Sequence, residues 1–142
     1  MGAPFTQLYV HLVWATYGRL PLLKPEVEPP LFNALSAKCS ELKCRLMAVG
    51  CIEDHIHLLV QLHPTVSIAE LAKQLKGNSS HWMNHVVIPE QGFRWQGAYG
   101  AFTVSKRGLL TAMDYCRNQR EHHQRNETYP DVERWELGNA RG

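Results

Sequence analysis

The sequence predicts an α+β domain with the ferredoxin-like arrangement β-α-β-β-α-β, followed by one additional helix. Two observations lead to this fold class. Four segments alternate apolar and polar residues or are rich in β-branched and aromatic residues, as strands are. Two segments with apolar residues at helical spacing lie between the first and second strands and between the third and fourth. In this arrangement a four-stranded antiparallel sheet carries both crossover helices on one face.

The first half of the chain supplies three strands and one helix. The stretch TQLYVHLVWAT, residues 6–16, alternates and is rich in β-forming residues, which predicts the first strand. Apolar residues recur at helical spacing over 25–44, and the prolines there are confined to the first turns, where a helix tolerates them. The stretches CRLMAVGCIE and HIHLLVQL then predict two antiparallel strands joined near Glu53 and Asp54.

The second half supplies two helices and the last strand. Ser67 and Glu70 form a capping box, which predicts the start of the second helix. The stretch FRWQGAYGAFTV, residues 93–104, predicts a fourth strand with at least one irregularity at its glycines. Ser105 is the predicted N-cap of a third helix that runs to about His123.

Length and composition favour one small domain. A chain of 142 residues that is 44% hydrophobic can bury one core, so we expect a single domain over 1–142 with a loose tail from about residue 126. No apolar run approaches the roughly 20 residues of a membrane span, so no membrane partner is expected. The four cysteines lack C-x-x-C spacing, and we expect a reduced, cytoplasmic protein.

The charge of the chain is unevenly distributed. The net charge is only +2, but residues 67–125 carry an excess of Lys and Arg interleaved with aromatic residues. That pattern is typical of a nucleic-acid surface. An ordinary solvated surface over core aromatics would give the same composition, and the sequence leaves both interpretations open.

Two histidines stand on one face of the third predicted strand. His55 and His57 are separated by one residue, so their side chains point the same way, away from the face that the two helices should cover. We therefore expect them to be displayed on the open face of the sheet. A pair at this spacing can chelate a metal ion, although satisfied histidines on half-exposed strands are also common.

A tyrosine and a glutamine stand on one face of the third predicted helix. Tyr115 and Gln119 are four residues apart. A tyrosine hydroxyl becomes a nucleophile when a nearby cation stabilises its phenolate, and a glutamine carbonyl could complete the ligands of a metal held by the histidine pair. The alternative is that Tyr115 is a packing residue and Gln119 a solvated one.

Other patterns predict less. His81 and His85 are four apart on the second helix, but H-W-M-N-H lacks the glutamate of the zinc-protease pattern, so we interpret them as surface or DNA-facing residues. The sequence contains no Walker loop and no dinucleotide-binding fingerprint, and no nucleotide cofactor is expected.

Several of these segments together resemble the single-tyrosine HUH transposases. That family includes the transposases of insertion sequences that move as single-stranded DNA and their REP-associated relatives. The resemblance covers the chain from about Tyr9 to His123, in order and at sensible spacing. Its segments are VHLVWATYGR, DHIHLLV, SIAELAKQLKGNSS, WQGAYGAFTVS and YCRNQREHH.

The resemblance implies roles for the four candidate residues. His55 and His57 match the metal-binding histidine pair, Gln119 the third ligand and Tyr115 the nucleophile. Such an enzyme cuts and rejoins single-stranded DNA: the tyrosine becomes joined to a 5′-phosphate and a 3′-hydroxyl is released. The implied ion is Mg²⁺ or Mn²⁺, and we expect Mn²⁺ to bind the free protein more readily because imidazole and amide ligands suit it better.

The resemblance also implies partners. Family members recognise a DNA hairpin near the cut, and a homodimer is implied in which Tyr115 and Gln119 of one subunit face the histidine pair of the other. The candidate DNA contacts are Lys73, Lys76, Trp82, Arg94, Trp95 and Arg107. Two alternatives remain open, namely another HUH endonuclease of the replication-initiator or relaxase type, and a domesticated DNA-binding protein without cutting activity.

Overall fold

A computed structural model describes residues 2–90 and 92–136 of the chain and confirms the α+β class. One four-stranded sheet has the strand order β2-β3-β1-β4, and each neighbouring pair is antiparallel. The elements are β1 Tyr9–Ala15, α1 Glu28–Glu41, β2 Arg45–Ile52, β3 His55–Gln61, α2 Ile68–Trp82, β4 Gly100–Val104, α3 Leu109–Arg117 and α4 Gln119–Gln124. The first six follow the predicted order.

The main hydrophobic core lies between the sheet and the two crossover helices. The strand residues that alternation assigns to this face are buried there, among them Leu12 and Trp14 of β1 and Leu58 of β3. Leu35 of α1 and Leu75 of α2 pack against them. The period-2 pattern of the strands therefore predicted this face correctly.

The predicted start of α2 is confirmed. The Ser67 side chain accepts a hydrogen bond from the Glu70 backbone N–H at 3.1 Å, which satisfies one of the amides left free at the start of a helix. After Trp82 the chain continues in one π-helical turn, Met83–Val87.

The fourth strand is shorter than predicted. Of the predicted strand 93–104, Gly100–Val104 pairs with β1. The part before it makes a single bridge, between Thr16 and Trp95. The Lys76 ammonium donates to the carbonyl oxygens of Gln96 and Ala98, at 2.6 and 3.1 Å. A lysine side chain, rather than a neighbouring strand, thus satisfies these backbone acceptors.

The second face of the sheet is not open, contrary to the prediction. Helices α3 and α4 lie against it, and Leu59 of β3 packs there with Leu109 and Cys116 of α3. As a result the side chains of His55 and His57 are buried. Alternation predicted which way the histidines point, but not that the additional helix turns back over its own sheet.

The additional helix is also broken. The predicted helix from Ser105 to about His123 begins instead at Leu109, and Ser105 accepts from the Gly108 backbone N–H in the turn before it. At Asn118 the backbone leaves helical geometry, with φ −106° and ψ 36°. Two short helices therefore replace one, with Tyr115 and Gln119 on either side of the break.

The tail, expected to be loose from about residue 126, is packed as far as Glu136. A short 3-10 turn at Pro130–Val132 leads into Glu133 and Trp135, whose side chains are buried. Its backbone also lies directly on β4, because a Cβ atom added to Gly100 would come within 1.8 Å of the Arg134 carbonyl oxygen. For residues 126–136 the expectation was wrong, because two buried side chains, and not the polar composition of the segment, determine its position; residues 137–142 lie outside the described residues.

Gly50 allows α3 to approach β2 closely. A Cβ atom at this position would lie 1.8 Å from the carbonyl oxygen of Cys116. We expect Gly50→Ala to lower the free energy of unfolding by about 1–3 kcal/mol, because the helix backbone must move away. Gly77→Ala, in α2 with open space around it, is the control and should raise stability by about 0.5–1 kcal/mol. Urea denaturation of both variants measures the difference, and equal stability would contradict the close approach.

Candidate active site

Asp54 fixes the orientation of His55. It occupies the turn between β2 and β3, and its Oδ1 lies 2.9 Å from His55 Nδ1. The Arg19 guanidinium holds the other oxygen of Asp54, with Nε 2.9 Å from Oδ2. With Nδ1 engaged by the carboxylate, the other ring nitrogen of His55, Nε2, faces the interior of the site.

His11 holds His57 in a similar way. It stands on β1, the neighbour of β3, and its Nε2 lies 2.7 Å from His57 Nδ1. Burial, with the neighbouring His57, lowers the pKa of His11 to about 3. Burial also lowers the pKa of His57 to about 4, against the opposing effect of Glu133. Both rings are therefore neutral at pH 7, and one hydrogen is shared between the two facing nitrogens.

Glu133 brings the site together. Its carboxylate is buried, and its Oε1 lies 3.0 Å from His55 Nε2 and 3.1 Å from His57 Nε2. His123 of α4 approaches the same oxygen at 3.7 Å. Although burial alone would raise the pKa of Glu133, its close contacts with the imidazoles of His123, His55 and His57 hold that pKa well below its usual range. The carboxylate is thus charged at neutral pH.

The hydroxyl of Tyr115 reaches the same carboxylate. It donates to Glu133 Oε2 and accepts a hydrogen bond from the Tyr129 backbone N–H at 3.0 Å. The ring of Tyr129 stacks on that of Tyr115, with centroids 4.6 Å apart. Burial and the adjacent Glu133 carboxylate raise the pKa of Tyr115 above its usual value. The hydroxyl is therefore protonated in this arrangement.

Tyr115 and the histidine pair meet within one chain. The ring centroids of Tyr115 and His57 are 5.6 Å apart, and a single carboxylate contacts both residues. The expectation that the tyrosine faces the histidine pair of another subunit differs from this arrangement. The difference arises because α3 packs on β2 and β3 of its own sheet.

Gln119 is buried beside the tyrosine and is hydrogen-bonded at both ends of its amide. Its Nε2 donates to the Tyr115 carbonyl oxygen at 2.7 Å, across the break at Asn118. Its Oε1 lies 3.2 Å from His123 Nε2. Gln119 therefore lies next to the cluster, and His123 stands between its side chain and Glu133.

Four residues have donor atoms arranged as metal ligands are. One ligand atom each from His55, His57, His123 and Glu133 lies within 4.8 Å of the others. The Nε2 of His55 is buried without a hydrogen-bond partner among the described residues, because its contact with Glu133 is close but misaligned. A buried ring nitrogen without an aligned partner, beside a buried carboxylate, fits a divalent cation better than it fits an apolar core.

The model of the family described as transposase IS200 like matches residues 4–119 of this chain. The chain belongs to this family. The IS200 transposases of Salmonella typhimurium and Salmonella typhi are each 27% identical over 117 aligned residues, and the match covers 78% of this chain and 76% of theirs. The resemblance that the sequence motifs indicated is confirmed.

Two solved structures share the fold. A crystal structure described as a transposase of Deinococcus radiodurans matches with a TM-score of 0.65 and 28% identity, covering 89% of this chain and 96% of that one. A REP-associated tyrosine transposase bound to a REP hairpin matches with a TM-score of 0.62 and 11% identity, covering 90% of this chain and 74% of that one.

Within the ranges 2–90 and 92–136 no helix is long and apolar enough to cross a membrane.

The predicted DNA contacts are dispersed over the molecule. Lys73, Arg94 and Arg107 are exposed, and the Arg94 guanidinium stacks on Tyr17. Trp82 is 41% exposed, at the end of α2 and therefore on the opposite face of the sheet from the histidine pair.

Two of the predicted contacts have structural roles. Trp95 is buried in the main core, where its indole N–H donates to Ser79 Oγ at 2.9 Å, so the prediction of a surface stacking residue was wrong. Lys76 is half-buried and holds two carbonyl groups before β4. The aromatic pattern did not distinguish a core tryptophan from an exposed one.

Sequence reasoning missed several site residues. Asp54 directly precedes the histidine pair in the sequence, which was a usable signal. His11 lies on the same sheet face in the neighbouring strand, so predicting that β1 pairs with β3 would have identified it. Glu133 offered no such signal, because 76 residues separate it from His57. Its position depends on Trp135, which stacks on His55 with ring centroids 5.3 Å apart.

Asp54 should contribute measurably to stability. Asp54→Ala removes the acceptor of His55 Nδ1 and of Arg19, leaving a buried imidazole without its partner. We expect the free energy of unfolding to fall by about 1–3 kcal/mol. Asp131→Ala, an exposed carboxylate in the same molecule, is the control and should stay within about 0.5 kcal/mol of wild type. Chemical denaturation at pH 7 makes the comparison, and equal losses in both variants would contradict the assigned role.

Proposed function

We propose that this chain cuts and rejoins single-stranded DNA through a covalent phosphotyrosine intermediate, with Tyr115 as nucleophile and His55 and His57 as ligands of a divalent ion. One observation carries the proposal. The hydroxyl of Tyr115 and the inward nitrogens of both histidines converge on the same buried carboxylate. A tyrosine packed only for stability does not require a buried carboxylate and two histidines beside its hydroxyl.

Membership of the IS200-like transposase family supports the proposal, because transposition requires DNA strands to be cut and joined. In the cleavage step the Tyr115 oxygen forms a bond to phosphorus while the bond from phosphorus to the 3′ oxygen breaks. The tyrosine loses its proton, and the departing 3′ oxygen gains one. Because the phosphate ester is kept on the protein, the released 3′-hydroxyl can later attack it and rejoin strands without a nucleotide cofactor.

The residues present fit a divalent ion. His55 and His57 would hold it through Nε2, and Gln119, the third ligand that the resemblance implies, lies one side chain away behind His123. When bound, Mg²⁺ or Mn²⁺ would polarise the phosphate and stabilise the charge that develops on its oxygens. Asp54 and His11 support this role, since each engages the outer nitrogen of one histidine and directs the other nitrogen inward.

The substrate we propose is single-stranded DNA that carries a hairpin near the cut. A structural neighbour is bound to a REP hairpin, and this chain has exposed cations at Lys73, Arg94 and Arg107. Trp82 offers an aromatic surface on which a base can stack. These side chains would bind backbone and bases outside the catalytic cluster.

Tyr115→Phe tests the nucleophile. The protein is incubated with single-stranded DNA containing its flanking genomic hairpins and Mn²⁺, and covalent adducts are resolved on denaturing gels. We expect the variant to form no adduct while binding the hairpin as wild type does, because only the hydroxyl is lost. Tyr129→Phe, which keeps both the ring stack and the backbone N–H, is the matched control and should remain active. Adducts with Tyr115→Phe, or undiminished wild-type cleavage in EDTA, would refute the assignment.

A mixing experiment tests whether the site works within one chain. Tyr115→Phe lacks the proposed nucleophile and His57→Ala lacks a proposed ligand, so each is expected to be inactive alone. Because Tyr115 and His57 meet in the same chain, we expect the mixture to stay inactive after subunit exchange. Restored cleavage would instead establish the homodimer with sites shared in trans that the resemblance implies.

A further inference from the structure

We infer that Glu133 is itself a ligand of the divalent ion, binding it through Oε1 while Oε2 holds the hydroxyl of Tyr115. The inference rests on the proposed function and extends it. It assigns a direct role in the site to the C-terminal segment, which lies beyond the residues matched to the family.

The distances are those of ligands around one ion. Oε1 of Glu133 lies 3.0 Å from His55 Nε2 and 3.1 Å from His57 Nε2. Ligands that each lie about 2.1 Å from a divalent ion are separated by about 3.0 Å in octahedral geometry and about 3.4 Å in tetrahedral geometry. Oε1 therefore already lies at the spacing from both nitrogens that shared coordination requires, and all the ligand atoms lie within 4.8 Å of one another.

Hydrogen bonding does not account for the contact with His55. Its Nε2 approaches the carboxylate but has no aligned hydrogen-bond partner among the described residues, and its Nδ1 is already engaged by Asp54. A lone pair on Nε2 and a carboxylate oxygen repel each other unless a proton or a cation lies between them. A cation placed there would be ligated by both atoms.

Glu133 is better placed for this role than Gln119. Both ends of the Gln119 amide have partners, at the Tyr115 carbonyl oxygen and at His123. The Glu133 carboxylate carries a full negative charge in a buried position, which a divalent cation compensates and a neutral amide does not require. A charged carboxylate oxygen also suits Mg²⁺ and Mn²⁺ better than a neutral amide oxygen does.

The C-terminal segment is anchored so that Glu133 stays in this position. On one side the Tyr129 backbone N–H donates to the tyrosine hydroxyl, and on the other Trp135 stacks on His55 beneath the Arg19 guanidinium. The backbone of Arg134 lies against Gly100. Oε1 approaches both histidines, whereas Oε2 holds the tyrosine hydroxyl and also lies 3.1 Å from His57 Nε2, so the ion and the nucleophile would be held one carboxylate apart.

The alternative is that Glu133 only occupies the place of the ion and leaves when the ion binds. The two possibilities predict opposite changes in metal affinity. If Glu133 is a ligand, removing its charge weakens binding. If Glu133 competes with the ion, removing its charge strengthens binding.

The experiment measures Mn²⁺ binding to the DNA-free full chain, from the loss of the free-ion electron paramagnetic resonance signal. We expect Glu133→Gln to weaken binding by at least about 10-fold, as lost contacts of metal sites do. Glu133→Asp, which keeps the carboxylate on a shorter stem, should lie between Gln and wild type. Asp131→Asn removes an exposed charge from the same segment and should bind as wild type does. Melting temperatures measured in EDTA show whether each variant is folded.

The outcomes separate this inference from the proposed function. Wild-type or stronger binding by Glu133→Gln, with binding lost in His57→Ala, would overturn the ligand role and leave the histidine site standing. If Glu133→Gln fails to fold, the Asp variant decides, since wild-type or stronger binding there also overturns the inference. Absence of Mn²⁺ binding by wild-type protein would refute both. Weaker binding in both Glu133 variants, with Asp131→Asn unaffected, supports the assignment.

Discussion

The buried carboxylate of Glu133 is the constraint on which the rest of the site depends. A charged group without solvent must be compensated by neighbours, and here imidazoles and a phenol surround it. Each neighbour is fixed in turn: His55 by Asp54, and His57 by His11. The polar side chains inside the second face of the sheet therefore form one connected network, in which the loss of any member leaves another without a partner.

The fold separates stability from chemistry by using the two faces of one sheet. The face covered by α1 and α2 holds the continuous apolar core, which supports the strands from one side. The second face is covered by short helices and by the C-terminal segment, with smaller apolar clusters around the polar network. The spacing of a histidine pair on such a strand is set by the strand backbone and not by the helices that cover the pair. A preorganised pair of metal ligands requires this.

Local sequence patterns predicted the sheet, the crossover helices and the direction in which His55 and His57 point, because strand and helix periodicities are local properties. They also placed Tyr115 and Gln119 near each other, although the chain breaks between them at Asn118. They could not predict Glu133, since its place is set by tertiary packing of Trp135 against His55. The prediction that Trp95 contacts DNA was wrong for a related reason. An aromatic side chain in a basic stretch can equally well pack inward, as Trp95 does when it donates to Ser79.

Access to the nucleophile also depends on the C-terminal segment. Tyr115 is only 2% exposed, and both hydrogen-bond partners of its hydroxyl, Glu133 and the Tyr129 backbone, belong to that segment. A phosphate oxygen cannot occupy the place of the Tyr129 N–H while the segment remains where it is. Glu133 can keep its position through the anchor at Trp135, whereas Tyr129, whose side chain is 52% exposed, lies at the outer end. Access of a phosphate to the hydroxyl therefore requires Tyr129 to move, whereas the Trp135 side chain that anchors Glu133 packs against His55 on the far side of the carboxylate.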